Sequence, residues 1–140
     1  MVVCIACVAL VGGCMSEQGL KETGKQRWFS VGKDYASVYY LINARAQEDW
    51  QGTILNATIL LAQGYIHPAE ETARVIRFSW NDFGRVVDRT VYIDKVTDDV
   101  SCVSIFSLDE DGIVDVEHWL RAAYHDVTAT SEECRAHTGP

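Results

Sequence analysis

Ala36-Ser37-Val38-Tyr39-Tyr40-Leu41-Ile42-Asn43-Ala44 carries two periodicities at once, and the choice between them decides the fold. Ala36, Val38, Tyr40, Ile42 and Ala44 form an unbroken alternate set, the pattern of a strand with one face buried. Tyr35, Val38, Tyr39 and Ile42 also fit one face of a helix that Asp34 would cap and Gly52 would end. The alternation runs the full length of the stretch, and it predicts a strand.

Outward from this stretch, short runs rich in Val, Ile, Tyr and Thr alternate with turn-forming residues, at the spacing of an all-β domain. The predicted strands cover residues 26–31, 36–44, 53–61, 73–80, 86–94 and 101–107. In the fourth, Ile76, Phe78 and Trp80 point one way and Arg77 and Ser79 the other. Asn81-Asp82-Phe83-Gly84 reads as a hairpin turn, as does Asp109-Glu110-Asp111-Gly112 before the short apolar piece Ile113-Val114-Asp115-Val116. One segment, 116–127, reads as a helix, because Val116, Leu120, Ala123 and Tyr124 recur at helical spacing.

The 140 residues are 48% hydrophobic and 23% charged, enough for one ordinary core. They are not evenly distributed. From Val2 to Gly13 every residue is apolar or small, and the first charged side chain is Glu17. A helix needs about 20 apolar residues to cross a membrane, so this shorter run fits the core of a signal peptide.

The run ends in Leu10-Val11-Gly12-Gly13-Cys14, which resembles the lipobox of bacterial lipoproteins. The resemblance implies a signal peptide over 1–13, cleavage before Cys14, and acylation of that cysteine, with membrane lipid as the first partner. Two or three acyl chains attach a protein stably, at about 0.8 kcal/mol per buried methylene. Met15 stands where many enterobacterial lipoproteins retained in the inner membrane have aspartate, so the resemblance points to the outer membrane, facing the periplasm. Residues 14–27 are polar with two glycines and read as a flexible tether reaching roughly 20 Å, which leaves 28–140 as a single envelope domain.

Removing the leader removes Cys4 and Cys7, and lipidation uses Cys14. The remaining pair, Cys102 and Cys134, is expected to form a disulfide in an oxidising compartment, the alternative being two separate thiols. The net charge of −8 falls wholly after Cys14. It argues against nucleic acid as a partner, since that binding relies on Lys and Arg, and favours a basic partner or simple solubility.

Residues 41 to 104 resemble the small immunoglobulin-like sandwiches of bacterial secreted and lipid-anchored proteins. The likeness rests on Asn43 and Trp50 before the third strand, on Ile66-His67-Pro68-Ala69-Glu70-Glu71-Thr72 as a loop crossing between sheets, on Phe78 to Arg85, and on Cys102 in a later strand. It implies a mainly β fold, an antiparallel immunoglobulin-like β-sandwich with a C-terminal α-helix, and no activity.

Few residues suggest chemistry. His118 and His125 lie seven apart, about 10.5 Å along a helix, too far to share one metal ion. With Asp115 or Glu117 they would serve a small envelope hydrolase. Ser107 to His118 resembles part of a calcium loop, but His118 stands where a bidentate glutamate completes the shell, so an acidic turn is expected. Asn56-Ala57-Thr58 matches the glycosylation pattern by chance. No nucleophile elbow, phosphate loop, dinucleotide fingerprint or zinc-protease motif is present. The expectation is a non-catalytic, lipid-anchored binding or assembly module, of immunity or inhibitor type, with no cofactor, no metal, and a protein partner in the envelope or arriving from outside. A purely structural envelope role is the remaining reading.

Overall fold

The computed structural model describes residues 16–54, 58–82 and 84–134. The signal-peptide and lipobox residues, Cys14 among them, and Asn56 and Ala57 lie outside the described residues. The fold is mainly β, a seven-stranded sheet in the order β2-β3-β4-β5-β6-β1-β7 in which every pairing is antiparallel. The strands are β1 (Lys25–Val31), β2 (Gly52–Ile54), β3 (Thr58–His67), β4 (Thr72–Asn81), β5 (Gly84–Thr97), β6 (Val100–Ser107) and β7 (Val127–Thr130). Among the described residues three helices accompany them: α1 (Glu17–Thr23), α2 (Tyr35–Asp49) and α3 (Glu110–Ala123). None of the described helices is long and apolar enough to cross a membrane.

The expected sandwich is corrected here, because the second layer is helical. Residues 36–44 belong to α2, not to a strand. Val38, Tyr39, Ile42 and Ala46 are buried at helical spacing, whereas Tyr40, a member of the alternate set, is 62% exposed. Asp34 caps the helix by accepting the Ser37 N–H at 2.9 Å. α2 carries the chain across one face of the sheet from β1 to β2 at the far edge.

Two turns also differ from expectation. His67 pairs with Thr72 at the end of a hairpin, so the segment read as a crossing loop joins neighbouring strands of one sheet, with Glu71 in the left-handed region. Asp109 caps α3 by accepting the Gly112 N–H at 3.1 Å, so residues 109–116 enter a helix and form no hairpin. Gly112 is required at this point. A Cβ would lie 2.5 Å from Ser107 Oγ and 2.9 Å from Arg89 Cδ. The helix expected over 116–127 starts six residues earlier, ends at Ala123, and is followed by β7 rather than the C-terminus. The hairpin at Asn81 and Gly84 forms as expected, with Gly84 at positive φ.

The main core lies between the sheet and α2 with α3. Phe29, Val31, Val75, Val91, Ile93, Val103 and Ile105 point inward from the sheet to meet Val38, Ile42, Ile113, Val116 and Leu120. Trp50 and Trp119 close it, with ring centroids 5.0 Å apart. Arg89, only 7% exposed at its side chain, lies 5.1 Å from the Trp50 ring centroid and reaches Asp109 at 3.2 Å and Asp115 at 3.3 Å, and Asp115 also accepts the Trp50 indole N–H.

Candidate binding face

Side chains alternate across a sheet, so the registers that turn Val75, Val91 and Val103 inward turn a second set outward. One outward row crosses five strands: Tyr65, Arg74, Tyr92, Ser104 and Trp28, each opposite the next. The row beside it holds His67, Thr72, Asp94, Cys102 and Ser30. At the other end of this outer face stand Ile59, Trp80 and Arg85, then Leu61, Phe78 and Val87.

α1 lies across the middle. Within 14–27, expected to be a free tether, residues 17–23 lie on the sheet as α1 and residues 25–27 open β1, so the folded body starts well before Trp28. Ser16 caps the helix through the Gly19 N–H, and Leu20 drops fully buried among Ile76, Phe78, Val87 and Phe106. Glu17 accepts from Arg74 at 3.0 Å and from the Tyr92 hydroxyl at 2.7 Å. Burial, then that hydrogen bond, pushes the Tyr92 phenol well above the ordinary tyrosine range. At the other end of the helix Gly24 is required, since a Cβ would meet the Leu20 carbonyl oxygen at 2.6 Å.

Beside the Lys21 flank of α1 opens a groove of about 530 Å³. Its walls carry the rings of Trp28, Tyr92 and Phe106 and the carboxylates of Glu70, Asp94 and Glu133. The Thr72 hydroxyl donates to Asp94 at 2.7 Å, and the Lys21 ammonium stands 4.3 Å above the Tyr92 ring. Ring faces and carboxylates together attract a cation, and Lys21 already occupies one such position. Cys102 and Cys134 stand at disulfide distance on this side of the sheet, Cα to Cα 5.6 Å, which holds the segment after β7 against the groove.

Sequence reasoning missed this groove. Its residues come from α1, four strands, the turn between β3 and β4 and the segment after β7, and they meet only through strand register. The candidates it named fall elsewhere. His118 and His125 are both exposed, and neither lines the groove. The carboxylates expected to work with them are engaged: Asp115 by Arg89 and Trp50, Glu117 by Arg27 and Arg121. The calcium-loop reading meets the same obstacle, because Asp109 is held by Arg89, Ser107 and the Gly112 N–H. Among the described residues, no group of three or more His, Cys, Asp or Glu is placed to hold a metal ion.

No family model, no curated protein and no solved structure matches this chain.

Proposed function

We propose that this chain is a lipid-anchored, non-catalytic binding or assembly module of the bacterial cell envelope. The leader over 1–13 is removed, Cys14 is acylated, and the protein sits in the outer membrane facing the periplasm. The lipobox residues Leu10 to Cys14 support the anchorage, and a cysteine pair at disulfide distance suits an oxidising compartment.

The binding role rests on one observation, the aromatic and acidic groove beside α1. It fits a basic side chain presented by a protein partner, in keeping with the net charge of −8. An immunity or inhibitor protein that neutralises a basic incoming protein has this character.

Mass spectrometry of the protein from membranes of a lipoprotein-competent host, with and without reduction, tests the anchorage. A chain starting at acylated Cys14, two daltons lighter before reduction, is the expected result. A full-length unmodified chain with free thiols overturns it. For the groove, titration with an oligolysine peptide should change Trp28 emission, and Asp94→Asn with Glu70→Gln should weaken the response severalfold. An unchanged response in that double variant removes the groove from the reading.

A further inference from the structure

Taking the lipid anchorage proposed above as its basis, we infer that the apolar corner of the outer face, Ile59, Leu61, Tyr65 and Trp80 with Arg85, seats on the lipid surface that Cys14 enters. These four apolar or aromatic side chains are 48%, 39%, 36% and 50% exposed. Ile59 lies opposite Trp80 and Leu61 opposite Phe78 on neighbouring strands, and Tyr65 lines one hollow with Phe78 and Arg85. Clustered apolar exposure of this kind marks a surface that meets something, whereas scattered single residues do not.

The chain itself identifies the occupant. Ser16, Glu17 and Gln18 line a hollow of about 390 Å³ together with Tyr65, Arg74, Phe78 and Arg85. Cys14 is two residues before Ser16, and two residues span at most about 7 Å. An acyl anchor so close leaves no slack for the domain to stand away from the bilayer, and the corner beside Ser16 is held at headgroup depth. A long tether would have allowed any face to approach, but residues 17–23 are committed to the sheet as α1.

The composition of the corner fits that position. Trp and Tyr favour the membrane interface, where an apolar ring and a polar edge are both accommodated. The Arg85 guanidinium lies 4.6 Å from the Phe78 ring, available to lipid phosphate, and the Glu17 carboxylate is neutralised by Arg74.

The test uses the acylated full chain in vesicles of phosphatidylethanolamine and phosphatidylglycerol with brominated acyl chains. Bromine should quench part of the tryptophan emission. Trp80→Phe should abolish most of that quenching and Trp28→Phe should not, while Trp50 and Trp119 lie in the core. Equal quenching in wild type and Trp80→Phe, or none in either, overturns the seating. A Trp80 emission that shifts with protein concentration in detergent also overturns it and assigns the corner to a second copy. The mass of the same sample separates the two claims. An acylated Cys14 with unquenched Trp80 sinks only the seating, and an unacylated chain sinks the anchorage and the seating together.

Discussion

The two faces of the sheet are fastened by different forces. On the inner face α2 and α3 bury eight side chains between them, and Trp50 closes the layer. At about 1.5–3 kcal/mol for each large apolar side chain, that burial dominates the stability of the molecule. On the outer face α1 buries one, Leu20, and depends on an ion pair, a phenol hydrogen bond and a cation over a ring. The segment after β7 is held on that side by the cysteine pair. Burial makes a layer rigid, whereas a few polar fixings and a covalent link leave a face open. The groove and the apolar corner both lie on the open side.

If this contrast is correct, the largest loss comes from the inner face. Trp50→Ala should cost about 3–5 kcal/mol, because a wholly buried ring is removed and Asp115 loses its indole donor. Urea unfolding followed by far-ultraviolet circular dichroism measures it. A loss below about 1 kcal/mol would mean that the helical layer does not carry the stability. On the outer face the corresponding change is Cys102→Ser with Cys134→Ser. The bridge would close a loop of 32 residues, worth roughly 3 to 4 kcal/mol in the chain-entropy model. If the contrast holds, this loss acts through the unfolded chain, so the inner core keeps its near-ultraviolet signature at neutral pH. Loss of that signature would show that the two faces fold as one.

The sequence made the central strands legible and the layer over them illegible, and the reason is specific. β1, β4, β5 and β6 follow the predicted runs within about three residues at each end, because runs rich in Val, Ile, Tyr and Thr between turn-forming residues favour strands. Residues 36–44 alternate by coincidence, since Ala36 and Ala44 are small enough for either face of a helix. α3 was half visible, because Asp109 and Gly112 mark a helix start as well as they mark a turn. α1 offers one large apolar residue in seven, and what orders it is Arg74 and Tyr92, 57 and 75 positions away. The groove depends on the registers of β4, β5, β6 and β1, and no local pattern encodes them.

A smaller effect probes the joint between α3 and the sheet. Gly112→Ala places a methyl against Ser107 Oγ and the Arg89 side chain, so overpacking should cost about 1–3 kcal/mol. Thermal unfolding should show the lower midpoint, and Gly112→Ala with Ser107→Gly should recover part of it. No recovery would show that the hydrogen bonds Ser107 makes with Asp109 outweigh the relieved overpacking.

The smallest effect separates the faces by pH. The N-caps of both inner helices are carboxylates held below their ordinary value of 3.8. For Asp34 the Ser37 N–H and hydroxyl do this; for Asp109 burial opposes it, but the Gly112 N–H and Arg89 outweigh burial. A depressed carboxyl contributes stability that is present above the unfolded value and lost as pH falls through the folded one, so the inner layer weakens below about pH 4. Tyr92 has the opposite sign. Its phenol is raised above the ordinary 10.0, so its contribution is whole below pH 10 and lost as pH rises past that value, when a phenolate would face the Glu17 carboxylate. Unfolding stability should therefore fall on both flanks, with Asp34→Asn flattening the acid flank and Tyr92→Phe the alkaline one. In the phenolate absorbance titration Tyr92 should be the last of the six tyrosines to ionise, and Tyr92→Phe should remove that late phase. An alkaline profile identical in wild type and Tyr92→Phe would show that α1 is not fastened through this phenol, and the contrast between the faces would then rest on Leu20 and Arg74.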